Sequence, residues 1–245
     1  MTLRSGAAMV LFYDIEGDNA DHDDWHSYEH FHERLSVPGF LRATRWVAVE
    51  GAPRYMVTYE VSSVDIATSQ DYLDRLNEPT PWTSEMMPRF RSMTRGFCHI
   101  TASSGFGLGS VTSALQFLPK EGSAEKLSGW IADQVLPAMA LLRGIVGAHL
   151  LRPAAPPPMT REQSLRGPDN PMPWLVVATA YDAAALKRAT NDHFNFDDFR
   201  GRGASEAMTL GTYALHYIAA AEEVAQTPHP PAVESDRRRS DRPRV

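Results

Sequence analysis

The sequence contains the same order of predicted secondary structure twice, and this duplication constrains the fold more than any other feature. Each copy reads strand, helix, strand, strand, helix, strand over about a hundred residues. The first helix of each copy is predicted from about Asp24 to Ser36 and from about Ala124 to Leu142. The order βαββαβ is that of the ferredoxin-like unit, whose antiparallel sheet carries its helices on one face. The sequence therefore predicts an α+β protein built from two tandem ferredoxin-like repeats.

The composition of the chain suggests where each repeat begins and ends. Residues 1–102 are predicted to form the first repeat and residues 111–225 the second. Residues 103–110 are rich in Gly and Ser, which indicates a flexible linker between the repeats. Residues 226–245 are rich in Pro and Arg with few apolar residues, so we predict a disordered tail.

Charge and cysteine content exclude several classes of partner. The formal net charge is −6, although the last twenty residues carry five Arg against three acidic residues, so the rest of the chain is more acidic still. An acidic body repels a phosphate backbone, and we therefore expect no nucleic-acid partner. The apolar run near the start is too short to span a membrane, so no membrane partner is expected. Cys98 is the single cysteine, which excludes an intrachain disulfide and is typical of a cytoplasmic protein.

A cluster of titratable residues lies in the first predicted helix, within the stretch WHSYEHFHERLSVPGF at 25–40. On a helical wheel of about 100° per residue, one arc holds His26, Glu29, His30 and Glu33. The opposite side holds Tyr28, Phe31 and Leu35. Taken alone, this pattern is typical of a helix whose polar face meets water.

The second repeat favours a different interpretation of that arc. Trp25 and Gly39 are fourteen residues apart, as are Trp130 and Gly144, so the two helices can be aligned residue by residue. In this alignment the positions of His26, His30 and Glu33 are taken by Ile131, Val135 and Ala138. Apolar residues at that spacing pack on a sheet, and equivalent helices should be seated alike. Since burying unpaired polar groups is costly, we predict that the histidines line a polar cavity beneath the first helix.

Two stretches, WHSYEHFHERLSVPGFLRATRW and NEPTPWT, carry a resemblance to a known superfamily. They resemble the dimeric α+β barrel proteins, particularly EthD-like proteins, whose first helix reads W-[YH]-x-x-E-H-x-x-x-R-L and ends in P-G-F. The resemblance implies that the two repeats join their sheets into a pseudo-dimeric α+β barrel, as a monomer or a homodimer. Members of such families include cofactor-free oxygenases, isomerases, cyclases and haem enzymes, so the fold does not fix the reaction.

The cluster contains the groups needed for acid–base catalysis. A histidine with a pKa near neutrality can accept and return a proton, and a carboxylate on its other ring nitrogen fixes the tautomer. We predict His30 as the base, Glu29 or Glu33 as its orienting carboxylate, and His26 as a further catalytic candidate. Arg34 and Arg45, together with Arg42, could bind a substrate carboxylate or stabilise an enolate, although surface salt bridges remain an alternative for each.

A metal site is the alternative use of the same helix. His26, Glu29 and His30 spell H-x-x-E-H, a pattern found in some zinc enzymes, and two histidines at i and i+4 suit a zinc ion. A further ligand would have to be His22, His32 or His99. The families that the chain resembles usually have Tyr where this chain has His26, and no histidine is marked as a haem ligand. We therefore expect no cofactor and keep a metal-dependent enzyme as an alternative.

Two further segments are candidates for the walls of the cavity. Trp82, Met86, Met87 and Phe90 recur at a spacing that can line a site for a flat hydrophobic ligand, or simply pack in a core. In the second repeat, residues 152–173 form a long loop between the two central strands. Loops of this length are often functional, so the loop is predicted to be a lid, an oligomer contact or a tolerated insertion.

These observations leave several functions open. The preferred one is an enzyme without an organic cofactor that performs lyase or isomerase chemistry on a small hydrophobic aromatic or polyketide-like compound. A cofactor-free oxygenase, a metal-dependent enzyme and a non-catalytic protein that binds a small ligand are the alternatives. No G-x-S-x-G or P-loop sequence is present, and the glycines of GFGLGS do not open a helix.

Overall fold

The computed structural model describes residue 3 and residues 5–226. The eight strands, β1 to β8 in chain order, are Ala7–Ile15, Phe40–Glu50, Tyr55–Val61, Phe90–Gly105, Val111–Phe117, Ile145–Pro153, Trp174–Ala180 and Thr209–Ala220. The helical segments are Asn19–Trp25, His26–His30, Phe31–Leu35, Val64–Thr68, Gln70–Asn77, Pro81–Met86, Met87–Arg89, Ala124–Trp130, Ile131–Val135, Leu136–Ala140, Arg161–Arg166, Ala183–His193, Phe196–Gly201 and Ala221–Val224. None of the helices in this part of the chain is both long and apolar enough to cross a membrane.

The strands form one closed antiparallel barrel in the order β1-β3-β2-β8-β5-β7-β6-β4. Each half contributes four neighbouring strands, in the order expected for a ferredoxin-like unit. The halves meet at two seams, where β2 pairs with β8 and β4 pairs with β6. The prediction of two βαββαβ repeats that close into a pseudo-dimeric α+β barrel is confirmed.

Strand residues alternate between two cores. On β1, Met9 and Tyr13 pack beneath the helices of the first half, whereas Val10 and Phe12 fill the barrel interior. A separate cluster that includes Leu115 lies under the helices of the second half. The face of the sheet that meets the first-half helices is where the candidate site lies.

Matching turns confirm the alignment of the two halves. Gly39 and Gly144 follow the first helix of each half with φ of +97° and +93°, a conformation that glycine adopts without strain. A Cβ at Gly39 would lie 2.3 Å from the side chain of Ile66, and one at Gly144 would lie 2.6 Å from the side chain of Ala185. Both turns therefore require glycine for the same two reasons.

Three sequence-based boundaries need correction. Residues 103–105 belong to β4 and pair with β6, so they are not linker; seam formation satisfies their backbone groups. The first helix begins at Asn19, where the Asp18 side chain accepts a hydrogen bond from the Ala20 amide, and its counterpart ends at Ala140. Apart from Gln226, the predicted tail lies outside the described residues.

Candidate functional site

The histidine cluster lies on the leading helix, which comprises the consecutive segments Asn19–Trp25, His26–His30 and Phe31–Leu35. The middle segment is π-helical, and the equivalent segment Ile131–Val135 of the second half is π-helical too. π segments within α-helices often occur at functional sites. The two halves therefore share this irregularity, but only the first buries titratable side chains in it.

The leading helix buries its polar residues. His26, His30, Glu33 and Arg34 are at most 8% exposed. The counterparts of His26, His30 and Arg34, which are Ile131, Val135 and Met139, are also buried, whereas Ala138, the counterpart of Glu33, is only partly buried. The inference that these histidines occupy a position that is core in the other half is confirmed. Their catalytic roles stay predictions.

The helical wheel is wrong for Phe31. It puts Phe31 on the far side from His26, yet the two ring centroids lie 4.2 Å apart. The amide of Phe31 donates to the carbonyl of His26, five residues back, which is the π-helical pattern. The wider turn brings Phe31 onto the same buried side as the histidines.

Three histidines form a continuous row along the leading helix. The ring centroids of His22 and His26 lie 5.3 Å apart, and those of His26 and His30 lie 5.6 Å apart. His22 Nδ1 lies 3.1 Å from a carboxylate oxygen of Asp23, and its Nε2 lies 3.1 Å from the Tyr13 hydroxyl. Burial is the main cause that lowers the pKa of His22, to about 4, so this ring is neutral at pH 7 and held in place at both nitrogens.

His26 and His30 are neutral for the same principal reason. Burial, followed by the positive charge of Arg45, lowers the pKa of His26 well below its usual value. Burial, followed by Arg34, does the same for the pKa of His30. His26 Nε2 lies 3.1 Å from the hydroxyl of Tyr59, and burial keeps the pKa of Tyr59 raised so that the phenol stays protonated. Both imidazoles are therefore without their second proton at neutral pH.

The two predicted orienting carboxylates have different surroundings. Glu33 Oε2 lies 3.5 Å from His30 Nδ1, within ion-pair range but without the alignment of a hydrogen bond. Glu29 is buried and accepts hydrogen bonds from Thr80 at 2.5 Å and Thr83 at 3.2 Å. Glu29 thus ties the leading helix to Pro81–Met86, and Glu33 is the carboxylate beside His30.

Arg34 forms a buried ion pair with a residue from the other half. Its Nη2 donates to both carboxylate oxygens of Glu162, the Oε1 contact being 2.5 Å. Burial opposes the charged forms, but the pairing more than offsets it, so the pKa of Arg34 is raised and that of Glu162 is lowered. Glu162 belongs to the crossing segment, residues 154–173, which lies between β6 and β7 and contains the helix Arg161–Arg166. No pattern in the sequence indicated this contact, apart from the length of the loop.

Arg45 and Arg42 do not reach the cavity. Arg45 donates to the Ser27 hydroxyl at 2.9 Å and to the Asp23 carbonyl at 3.1 Å, so it fastens the leading helix to the sheet. Arg42 pairs with the buried Glu60, which belongs to the lining of the barrel interior. The predicted role of Arg45 in substrate binding would therefore have to be indirect.

The cavity beneath the leading helix is small, with a volume of about 20 Å³, which is room for about one water molecule. Phe90 and Met87 line it, as predicted. Met86 packs in the first-half core and Trp82 packs against it, but neither lines the cavity. The complete lining is Met9, Leu11, Tyr13, Trp25, His26, His30, Arg34, Tyr59, Tyr72, Met87, Phe90, Met93, Arg95, Glu162 and Arg166.

The crossing segment covers the cavity and supplies charge to it. Asp169 lies 3.0 Å from Nε of Arg95 and 2.9 Å from Nη2 of Arg166. Glu162 and Arg166 line the cavity from the same segment. Of the roles predicted for this loop, its placement fits a lid.

A metal centre is not formed by the predicted ligands. Within residue 3 and residues 5–226, no three His, Cys, Asp or Glu side chains converge in a way that could hold a metal ion. The possible zinc ligands His26, Glu29 and His30 are thus not brought together as a metal site in this structure. The carboxylate of Glu29 instead accepts hydrogen bonds from Thr80 and Thr83.

Structural comparison identifies the fold. The chain is similar to an anthrone oxidase-like protein, with a TM-score of 0.62, 10% identity, and coverage of 90% of this chain and 96% of that one. It is also similar to a candidate monooxygenase from Lactobacillus acidophilus NCFM, with a TM-score of 0.55, 12% identity, and coverage of 88% and 96%. A candidate monooxygenase from Fusobacterium nucleatum gives a TM-score of 0.52 at 7% identity, with coverage of 89% and 96%.

These likenesses establish the architecture. This chain has the dimeric α+β barrel fold within a single polypeptide. At such low identity the likeness shows the fold alone. No model of a known protein family matches the sequence, and no curated protein is significantly similar to it.

Proposed function

We propose that this chain is an enzyme that removes and returns a proton on a small hydrophobic, aromatic or polyketide-like compound, with His30 as the base. The observation that carries the proposal is a neutral histidine beside a buried arginine in a cavity lined by both charged and apolar side chains. Burial and Arg34 keep the pKa of His30 low, so the imidazole is free of its second proton at neutral pH. A low pKa also makes His30 a weak base, so proton removal depends on groups that stabilise the imidazolium as it forms.

Glu33 is the orienting group in this proposal. Its carboxylate lies 3.5 Å from Nδ1 of His30, which leaves Nε2 as the nitrogen that meets the substrate. When His30 takes the proton, the negative charge of Glu33 stabilises the imidazolium that forms. His26 is the second candidate base, although Tyr59 already engages its Nε2.

The cationic wall of the cavity completes the mechanism. Proton removal next to a carbonyl leaves an enolate, and Arg34, Arg95 and Arg166 line the cavity where that charge develops. Fixed positive charge in a buried site stabilises such an anion more than water does. Return of the proton to another carbon isomerises the substrate, and expulsion of a leaving group makes the reaction a lyase reaction. Neither outcome needs an organic cofactor.

A cofactor-free oxygenase is the second candidate, favoured by the likeness to an anthrone oxidase-like protein. In that case the deprotonated substrate transfers electrons to molecular oxygen. A CH2 group and O2 give a carbonyl and one water molecule, so O2 is the oxidant and one of its atoms is retained. The same base and the same cationic wall serve this reaction.

The test is proton exchange, because every version of the proposal begins with it. Phenylpyruvate and anthrone, each with an acidic CH2 group, are placed in deuterated buffer under nitrogen, and loss of the CH2 signal is followed by NMR. We expect the wild type to accelerate exchange on at least one probe and His30→Val to lose roughly 100-fold or more of that acceleration. Glu125→Gln, a change of an exposed carboxylate in the other half, is the matched control. Admitting air and measuring oxygen uptake separates the oxygenase from the isomerase or lyase. Binding without exchange on either probe would favour the non-catalytic alternative.

A further inference from the structure

We propose that Glu162 occupies a carboxylate-binding position in the cavity, and that the substrate carries a carboxylate which replaces it on Arg34. This inference rests on the proposed function and narrows its substrate class to hydrophobic aromatic carboxylic acids. It also makes the crossing segment, residues 154–173, the element that leaves when the substrate enters.

The geometry of the ion pair is the first argument. Both oxygens of Glu162 are bound by one nitrogen of Arg34, Nη2, while the buried Nη1 has no hydrogen-bond partner among the described residues. Arginine binds a carboxylate best when two of its nitrogens each donate to one oxygen. Glu162 therefore accepts hydrogen bonds from only one of the two terminal nitrogens of Arg34. A free carboxylate oriented toward both nitrogens would accept a hydrogen bond from each.

The charge around the cavity is the second argument. Three arginines line it, Arg34, Arg95 and Arg166. Two carboxylates contact them, Glu162 on Arg34 and Asp169 on both of the others. When Glu162 withdraws, Arg34 loses the carboxylate in contact with it while Asp169 stays on Arg95 and Arg166, and the site then attracts an anion strongly. The nearby carboxylate of Glu33 lies beside His30 and Arg75 rather than on these arginines.

The size of the cavity is the third argument. About 20 Å³ cannot hold an aromatic ring, so a ligand must displace part of the wall. The apolar wall residues on the sheet and the leading helix belong to the first-half core, whereas Glu162 and Arg166 belong to a loop with a single short helix. Loops are the parts of a fold that move most readily. Movement of the crossing segment would therefore remove Glu162 from Arg34 and enlarge the cavity at the same time.

The apolar wall selects the rest of the ligand. Met9, Trp25, Met87, Phe90 and Met93 surround the charged groups. Methionines and aromatic rings adapt well to a flat hydrophobic body. An aromatic acid would place its carboxylate on Arg34 and its ring among these side chains.

The experiment compares 1-naphthoate with its neutral analogue 1-naphthamide, using Trp fluorescence and NMR titration at pH 7. Glu162→Gln removes the competing charge with little change of shape. We therefore expect this variant to bind naphthoate at least 10-fold more tightly than the wild type does, and to bind naphthamide with unchanged affinity. The double variant Arg34→Gln/Glu162→Gln should lose the preference for the acid, and Glu125→Gln should behave like the wild type. Equal gains for acid and amide, or no gain for either, would overturn the inference.

A second measurement covers the case in which Glu162→Gln folds poorly. Glu162→Ala leaves Arg34 without its counter-ion, so acetate should raise the melting temperature of that variant more than it raises that of the wild type, and acetamide should not. Equal effects of acetate on both proteins would contradict the proposal. Neither readout involves turnover, so a preference for the acid without proton exchange would leave this inference standing while the proposed function fails. Exchange on anthrone with no preference for the acid would support the proposed function and contradict this inference.

Discussion

His30 and Val135 occupy the same position in the two halves of the barrel, each as the last residue of a buried π-helical segment. Val135 packs in the second-half core, whereas His30 lines a cavity with Arg34 and Glu162. The same position of the scaffold thus holds an apolar side chain, Val135, where it only packs in a core, and a polar side chain, His30, where it lines a cavity.

The first prediction exchanges these two residues. His30→Val should leave the free energy of unfolding unchanged or raise it by about 1 kcal/mol, because an apolar side chain replaces a buried imidazole. Val135→His should lower it by about 2 kcal/mol, since nothing in that core pairs with a ring nitrogen. Urea unfolding measures both. A His30→Val protein that unfolds more easily than Val135→His would show that His30 is kept for stability.

The second prediction separates the two glutamates. Glu29→Ala removes the acceptor of the Thr80 and Thr83 hydroxyls and should lower the free energy of unfolding by about 2 kcal/mol. Glu33→Gln keeps the shape beside His30 but removes the charge, so the rate of proton exchange should fall roughly 10-fold or more. Rates and urea midpoints are measured on both variants. If Glu29→Ala were the variant that slows exchange while folding normally, Glu29 would be the orienting residue.

The third prediction concerns Arg45 as a structural clamp. Arg45→Met should destabilise the protein by about 3 kcal/mol, because Ser27 and the Asp23 carbonyl lose a buried donor. Arg91→Met, at a half-exposed site, should change the free energy of unfolding by less than about 0.5 kcal/mol. Thermal denaturation of the two variants checks the difference, and comparable melting temperatures would contradict it.

The fourth prediction is the pH dependence of stability. The pKa of His22 falls from 6.5 to about 4 on folding, mainly through burial, so the folded state binds fewer protons than the unfolded state between these values. The contribution of His22 to the free energy of unfolding is therefore fully present above pH 6.5 and is lost as the pH falls toward 4. The total change is about 3 kcal/mol. His149, whose pKa is also lowered to about 4 by burial, adds to the same trend.

His22→Gln tests this trend at one site. The variant should be less stable at pH 7, because Tyr13 and Asp23 lose their partner, but its stability should depend less steeply on pH between 6.5 and 4. Urea midpoints at half-unit intervals of pH measure the slope. An unchanged slope would mean that His22 does not carry the effect.

The repeat pattern explains why much of the fold could be predicted. The repeated order of strands and helices, the paired Trp and Gly positions, and the apolar counterparts Ile131 and Val135 indicated two ferredoxin-like units and the burial of His26 and His30. The closure of the two units into a barrel was implied by the resemblance to the dimeric α+β barrel proteins. A strand has a period of two, so Arg42 and Arg45, three residues apart, belong to opposite faces. That rule alone shows that the two arginines could not both face the site.

The remaining features depend on contacts that no local pattern encodes. The π-helical turn moves Phe31 beside His26, yet nothing in residues 26–30 distinguishes it from an α-helix on a wheel. Tyr59 reaches His26 from β3, and Glu162 reaches Arg34 across 128 positions of the chain. Such long-range partners follow from how the strands close into a barrel, which the sequence indicates only after the topology is known.

The crossing segment has a consequence for how the two halves relate to each other. In a symmetric dimer any insertion appears twice and each subunit covers its neighbour, so both sites stay alike. In a single chain the two halves can differ. Here the second half supplies the crossing segment, residues 154–173, and the first half contains the cavity that this segment covers. In the described residues, the second half holds apolar side chains such as Ile131 and Val135 where the first half holds its histidines, so the two repeats are no longer equivalent.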